Sequence, residues 1–163
     1  MRFILLALGL LLTDQFSKWL VMSRMTHGDS IPVFEPVFYI TYVMNPGAAF
    51  GMLPYKTAFF VIITIAVVLG ITLFARRIPP GKALLKTGLA LQVGGAVGNL
   101  IDRLRFGHVV DFFDFRVWPV FNIADIGIVI GVGILFIELI KSDGNPRKKG
   151  GLVRAEDSGS ETN

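Results

Sequence analysis

Two aspartates lie in apolar stretches of the sequence, where an ionised carboxylate is costly without a partner. Asp111 stands between two valines and two phenylalanines, and Asp125 stands at the start of the last long apolar run. Trp118 and Pro119 lie between them and predict a turn that brings the two carboxylates face to face. Two carboxylates a few ångströms apart in a low dielectric share one proton. Such a pair can take a proton from water and polarise a carbonyl, as metal-free peptide hydrolysis requires.

Other polar residues lie in or beside the apolar runs and are predicted to gather near the same face of the membrane. Burial of a polar group in the membrane costs free energy, so each of these residues is a functional candidate. They are Asp14, Asn99, Asp102, Arg103 and Asn122. Each also has a structural alternative. Asp102 and Arg103 could form an ion pair that orients a helix end, and Asp14 could accept a hydrogen bond from a neighbouring helix. Asn122 and Asp125 have the spacing of a capping box at a helix N-terminus.

Rival catalytic groups are poorly placed in the sequence. The chain has no cysteine, which excludes disulfides, thiolate metal sites and cysteine nucleophiles. His27 and His108 lie in connections, where we expect surface residues, and they lack the paired spacing of a zinc site. Ser17 and Lys18 are neighbours, so on a helix they point in different directions and cannot act together as nucleophile and base. Lys18 beside Trp19 is better interpreted as an interface anchor.

The chain that carries these carboxylates is too apolar for an ordinary soluble domain. Its 163 residues are 53% hydrophobic and 17% charged, with a mean hydropathy of +0.63, whereas soluble domains carry about 25% charged residues. At about 20 residues per membrane-spanning helix, the apolar runs predict four spans. These are residues 3–22, 58–75, 83–101 and 123–140.

Residues 1–12 begin like a signal peptide, but no small-residue cleavage site follows, and extension to residue 22 gives the length of a span. The third and fourth spans contain glycines four residues apart, a spacing that lets helices approach closely in lipid. The glycine pairs are Gly94 with Gly98 and Gly127 with Gly131.

Basic residues predict the orientation of the bundle. Ten of the 16 lysines and arginines lie near the two termini or in the connection between the second and third spans. By the positive-inside rule, both termini are therefore predicted to be cytoplasmic. The net charge of +4 and the pI near 9.6 then mostly reflect topology, so we expect no nucleic-acid partner.

The remaining segments differ in composition. Residues 33–44 alternate between polar and large apolar side chains, which predicts one or two strands at the membrane surface. Residues 103–120 combine aromatic and charged side chains, which is typical of an interfacial segment, with Asp114 as a surface charge. We expect one membrane domain over residues 1–141 and a disordered cytoplasmic tail over residues 142–163.

A small proton- or cation-coupled transporter is the alternative function, because it would also use carboxylates inside the membrane. Secondary transporters are generally built from internal repeats and broken helices. The sequence shows no internal repeat, and four spans are few for alternating access by one chain. The residues therefore favour hydrolysis over transport.

Four motifs, in order, resemble those of the bacterial lipoprotein signal peptidases, also called signal peptidase II. They are NPGAAFG at 45–51, GGAVGNLIDR at 94–103, VVDF at 109–112 and FNIAD at 121–125. Asp14 in the first span matches as well. The resemblance runs from about residue 10 to residue 140.

The resemblance implies a membrane all-α fold, in which four transmembrane helices carry a small extracytoplasmic β-sheet cradle and an interfacial segment between helices 3 and 4. It implies an aspartic endopeptidase of the bacterial cytoplasmic membrane, active near the extracytoplasmic face. The substrates would be diacylglyceryl-modified prolipoproteins, cut just before the lipid-modified cysteine. No metal or cofactor is implied, and globomycin-type inhibitors would occupy the catalytic pair.

The resemblance also assigns roles to individual residues. Asp111 and Asp125 match the catalytic pair. The substrate pocket would be formed by Asn45, Gly47, Ala49, Asn99, Arg103 and Asn122. Structural support would come from Asp14, Asp102, Gly95, Gly98 and Ala124.

Overall fold

The computed structural model describes residues 1–47 and 56–143 and places most of them in four long helices. The helices are α1 (Arg2–Arg24), α2 (Thr57–Arg77), α3 (Ala83–Phe106) and α4 (Ile123–Asp143). All four are long and apolar enough to cross a membrane. The predicted four-helix bundle is therefore confirmed, and each helix is a few residues longer than its predicted span because the polar ends continue as helix.

Helix α3 is the centre of the bundle, and its glycines allow α1 and α4 to pack closely against it. A Cβ added at Gly94 would lie 2.6 Å from the carbonyl oxygen of Ala7, and one added at Gly95 would overlap the carbonyl oxygen of Ala124. Ala124 is itself fully buried. The close helix approach predicted from the small residues is confirmed.

Helix α2 has the opposite character, because most of it faces outward. Only 6% of its most apolar stretch is buried inside the protein, compared with 44% for α3. That stretch has a mean hydropathy of 2.8 against 1.2 for α3. A helix that is apolar on every side and unburied is suited to contact with lipid tails.

A three-stranded antiparallel sheet covers one end of the bundle, and we call this end the sheet end. Its strands are β1 (Ser30–Phe34), β2 (Phe38–Asn45) and β3 (Val109–Asp114), in the order β1-β2-β3. The sheet packs on α1 and α3 through an apolar cluster, the buried members of which are Val21, Tyr42, Val110 and Phe112. Strands β1 and β2 confirm the prediction for residues 33–44.

Strand β3 lies within the segment between the third and fourth spans, where the sequence predicts no strand. Helix α3 continues to Phe106 and ends at Gly107, which adopts a left-handed φ of 75° and donates its N–H to the carbonyl of Arg103. The chain then enters β3. Because nearly all of β3 is buried, its sequence lacks the alternation of polar and apolar residues that reveals a half-buried strand.

The opposite end of the bundle, which we call the basic end, contains the start of α1, the end of α2, the start of α3 and the end of α4. A smaller apolar cluster of Ala75, Ile78 and Leu89 closes it. Helix α4 reaches Asp143, so the first two residues of the predicted tail are helical. The rest of that tail lies outside the described residues.

Candidate active site

Asp111 and Asp125 line the same cleft at the sheet end, although they come from different elements. Asp111 lies on β3, opposite Val43 of β2, and Asp125 lies in the first turn of α4. The cleft has a volume of about 260 Å³. Asp111 is only 3% exposed, whereas Asp125 is half-buried. The fold therefore brings together the two carboxylates that the sequence predicted to meet.

Asp111 is held by two asparagine side chains. Its Oδ2 accepts a hydrogen bond from Nδ2 of Asn45 at 2.9 Å, and its Oδ1 accepts one from Nδ2 of Asn122 at 2.6 Å. Burial, followed by the negative charge of Asp125, raises the pKa of Asp111 to about 7, against the opposing effect of the two amides. Near neutral pH, a substantial fraction of Asp111 therefore carries a proton.

Asp125 is fixed by the N-terminus of α4. Its Oδ2 accepts the backbone N–H of Asn122 at 3.2 Å, and Oδ1 of Asn122 accepts the backbone N–H of Asp125 at 3.0 Å. This reciprocal pair confirms the predicted capping box. Oδ1 of Asp125 also accepts Nδ2 of Asn99 at 2.8 Å. One carboxylate thus caps the helix and faces the cleft, so the structural and functional interpretations are compatible.

Two asparagines connect the carboxylates, and we call Asp111, Asp125, Asn99 and Asn122 the amide layer. The Nδ2 group of Asn122 lies 3.1 Å from Oδ1 of Asn99 as well as 2.6 Å from Asp111. Asn122 is fully buried, so its amide cannot exchange these partners for water. The relative positions of Asp111 and Asp125 are therefore set by protein hydrogen bonds rather than by solvent.

A second group of polar side chains contacts the amide layer. It consists of Asp14, Lys18 and Asp102, and we call it the lysine layer. Nζ of Lys18 lies 2.9 Å from Oδ2 of Asp14 and 2.8 Å from Oδ2 of Asp102, and it donates to Oδ1 of Asn99 at 2.9 Å. The three charged residues, Asp14, Lys18 and Asp102, are all fully buried. Asn99 therefore links the lysine layer to the amide layer.

The lysine layer corrects two predictions. Lys18 is 1% exposed and is not an interface anchor. Its spacing of four residues from Asp14 places both on one face of α1, a signal that was available in the sequence. Asp102 pairs with Lys18 and not with Arg103, because adjacent residues on a helix point in different directions.

The lysine layer also anchors neighbouring backbone. Oδ1 of Asp14 accepts the backbone N–H of Ala124 at 2.9 Å, which confirms the predicted hydrogen bond to another helix. Oδ2 of Asp102 accepts the backbone N–H of Val110 at 3.1 Å. The starts of α4 and β3, which carry the two candidate catalytic residues, are thereby tied to α1 and α3. Gln15, which sequence reasoning missed, donates to Oδ1 of Asp102 at 3.0 Å.

Gly98 makes room for this arrangement. A Cβ at this position would lie 2.5 Å from Oδ2 of Asp14. The small residue predicted for helix packing therefore accommodates a carboxylate of the lysine layer.

Arg103, Asn45 and Gly47 border one side of the cleft. The guanidinium of Arg103 donates to the carbonyl oxygens of Gly47 at 3.3 Å and Asn99 at 3.4 Å and lies 5.1 Å from the ring centre of Phe60. Oδ1 of Asn45 accepts the backbone N–H of Gly47 at 3.0 Å. The predicted pocket residue Ala49 lies outside the described residues.

The other candidates fall outside this cleft. His27 is exposed, and His108 is half-buried with Nδ1 3.0 Å from the carbonyl oxygen of Phe106. Asp114 is 6% exposed and accepts hydrogen bonds from Thr41 and Arg116, which corrects its interpretation as a surface charge. Within residues 1–47 and 56–143, no group of three or more His, Cys, Asp or Glu residues could hold a metal ion.

Comparison with known proteins identifies the family. Residues 6–141 match the family described as Signal peptidase (SPase) II. The chain is 53% identical over 140 residues to the lipoprotein signal peptidase of Moorella thermoacetica, and the alignment covers 86% of this chain and 93% of that protein. Identity to the Bacillus subtilis lipoprotein signal peptidase is 42% over 153 residues, with coverage of 91% and 99%.

A solved structure supports the same assignment. A bacterial membrane enzyme determined by the in meso method matches with a TM-score of 0.85 and 36% sequence identity. The match covers 89% of this chain and 91% of that one. The chain therefore belongs to the signal peptidase II family of bacterial membrane proteases.

Proposed function

We propose that this protein is an aspartic endopeptidase that removes signal peptides from diacylglyceryl-modified prolipoproteins by cutting just before the modified cysteine. The observation that carries the proposal is the pairing of Asp111 and Asp125 in one cleft. Neither forms a salt bridge within residues 1–47 and 56–143. The family and the relatives named lipoprotein signal peptidase support the substrate class.

In the proposed reaction, Asp111 begins as the acid and Asp125 as the base. Asp125 takes a proton from a water molecule while that water attacks the scissile carbonyl carbon, and Asp111 gives its proton to the carbonyl oxygen. Collapse of the tetrahedral intermediate returns a proton to Asp111, and Asp125 protonates the leaving amide nitrogen as the C–N bond breaks. No covalent intermediate forms, and the pair ends in its starting protonation state.

The local environments support this division of roles. Asp111 is the more deeply buried of the two, and a buried carboxyl group favours its neutral form. Asp125 is half-buried and accepts a backbone N–H at the start of α4, which holds its carboxylate in place as the base. The guanidinium of Arg103 borders the same cleft and interacts electrostatically with both groups.

The remaining predicted pocket residues are proposed to hold the substrate. Asn45 and Arg103 border the cleft on the side of Gly47, where a peptide backbone can approach without meeting a side chain. Ala49 is proposed to continue this wall. Asn99 and Asn122 position the two carboxylates through the hydrogen bonds of the amide layer.

The surroundings of the cleft suit a lipid-modified substrate. Trp118 and Val129 line its edge and are 61% and 70% exposed. We propose that they contact the diacylglyceryl chains of a substrate that enters sideways from the bilayer. On the basis of the positive-inside rule, we propose that the basic end and both termini are cytoplasmic and that the cleft lies near the extracytoplasmic face. Globomycin-type inhibitors would compete for the same cleft.

A cleavage assay tests the proposed function. The purified protein is incubated with a synthetic prolipoprotein peptide that carries the diacylglyceryl group on its cysteine, and the products are identified by mass spectrometry. We expect one cut, immediately before the cysteine, and at least a hundredfold slower cleavage of the matched peptide without lipid. Cleavage elsewhere, or equal cleavage of both peptides, would contradict the proposal. Proton or cation flux in liposomes without cleavage would instead support the transporter alternative.

A further inference from the structure

A second and larger cleft lies at the basic end, far along the helices from Asp111 and Asp125. It has a volume of about 570 Å³ and is bounded by the start of α1, the end of α2 and the start of α3. This volume falls in the range of about 300–1,000 Å³ that small-molecule sites occupy. The cleft is therefore large enough for a ligand, and the residues around it indicate what kind.

Four cationic side chains line this cleft, and its lining contains no acidic residue. They are Arg2, Arg76, Lys82 and Lys86. Lys82 is neutralised by Glu138, with Nζ 2.8 Å from Oε1. The side chains of Arg2, Arg76 and Lys86 form no salt bridge within the described ranges. Three positive charges thus line one space without a counter-ion among the residues that the structure describes.

Lys86 is the most informative of the three. It lies on the first turn of α3 and is half-buried, whereas Arg2 and Arg76 are exposed. Its side chain lines the cleft, and within residues 1–47 and 56–143 its ammonium group has no negatively charged ion-pair partner. A bound anion between α1, α2 and α3 would supply that charge.

Apart from Thr72 and Thr87, the rest of the lining is apolar and would suit acyl chains. Its larger apolar side chains include Phe3, Ile4 and Leu6. A free phosphate would pair with the cations but leave this apolar wall uncovered. A molecule with an anionic head and hydrocarbon tails would match both parts of the lining.

We propose that the basic end of this protein binds one anionic phospholipid, with its phosphate among Arg2, Arg76 and Lys86 and its acyl chains against Phe3 and Leu6. The lipid fills the space between α1 and α2, which both pack on α3. This site is separate from the cleft of Asp111 and Asp125, and its existence does not depend on the proposed peptidase mechanism.

Native mass spectrometry of the full chain in detergent tests this site. The protein is titrated with phosphatidylglycerol and with phosphatidylcholine of the same acyl chains. The double variant R76Q/K86Q removes two of the three unpaired cations. The matched control R24Q/R105Q removes two exposed cations from the sheet end, so it makes the same change in net charge. Inorganic phosphate and glycerophosphoglycerol serve as soluble competitors.

We expect one phosphatidylglycerol to bind at least tenfold more tightly than phosphatidylcholine, and R76Q/K86Q to lose about tenfold or more in that affinity. The R24Q/R105Q control should bind like the unsubstituted protein. The proposal would be overturned if both lipids bound equally well, or if the control variant lost as much affinity as R76Q/K86Q. It would also be overturned if inorganic phosphate displaced phosphatidylglycerol at the same concentration as the lipid. If R76Q/K86Q does not fold, R2Q alone is used, with a severalfold loss expected and no loss contradicting the site.

Discussion

The lysine layer and the amide layer each contain two aspartates, and they meet where Lys18 contacts Asn99. The aspartates of the two layers have different hydrogen-bonding partners. In the lysine layer, Nζ of Lys18 lies within 2.9 Å of both Asp14 and Asp102. In the amide layer, Asp111 and Asp125 accept side-chain hydrogen bonds from neutral asparagines. The lysine layer thus pairs its two aspartates with one buried cation, whereas within residues 1–47 and 56–143 the aspartates of the amide layer form no ion pair. The difference separates aspartates that support the fold from aspartates suited to catalysis.

Removal of the shared cation should have the largest effect on stability. In Lys18→Met, two buried carboxylates lose their partner, so we expect a loss of about 3–5 kcal/mol in the free energy of unfolding. The matched control is Lys56→Met, which removes an exposed lysine before α2 and should change little. Thermal unfolding in detergent measures both. A Lys18→Met variant as stable as the control would show that the lysine layer does not support the fold.

Asn122→Ala should affect both function and stability, because this side chain touches both candidate catalytic residues. Loss of its buried hydrogen bonds should cost about 1–3 kcal/mol, and displacement of Asp111 should reduce kcat about a hundredfold. Cleavage kinetics and unfolding are measured on the same preparation. Full activity in this variant would show that the amide layer does not position the pair.

Gly98→Ala should test the space beneath Asp14. The added methyl group would press on the carboxylate of Asp14, and such overpacking typically costs about 1–3 kcal/mol. Gly9→Ala on α1 is the matched control, because an added Cβ there meets nothing within 4 Å. Unfolding temperatures of the two variants are compared. Equal stability of the two variants would mean that the lysine layer tolerates a shift of the Asp14 carboxylate.

The stability of the protein should also depend on pH, and this dependence should arise from Asp111 in the amide layer. Because the pKa of Asp111 is raised to about 7 in the folded protein, the folded state binds more protons than the unfolded state between about pH 4 and pH 7. Its contribution to stability is therefore present at pH 4 and is lost as the pH rises through 7. Asp111→Asn should lack this decline. Parallel pH profiles for the two proteins would contradict the assigned pKa.

The four helices could be predicted because a helix that crosses a bilayer needs a long apolar run. In such a chain few acids lie within or beside the apolar runs, so Asp111 and Asp125 could be identified as candidates. Strand β3 was missed because burial on both faces hides its alternation. The environment of Lys18 was also missed, since its neighbour Trp19 fits an interface anchor equally well. Only the packing of α1 against α3 places Lys18 beside Asp102, and that packing is not a local property of the sequence.

The most direct test of the central claim compares asparagine substitutions in the two layers. Asp111→Asn and Asp125→Asn should reduce cleavage of the diacylglyceryl-modified peptide by at least a thousandfold while the protein stays folded, since asparagine preserves shape but cannot transfer the proton. Asp14→Asn and Asp102→Asn should instead lower the unfolding temperature, because each removes a charge paired with Lys18. Near-normal cleavage by both Asp111→Asn and Asp125→Asn would contradict the proposed catalytic pair.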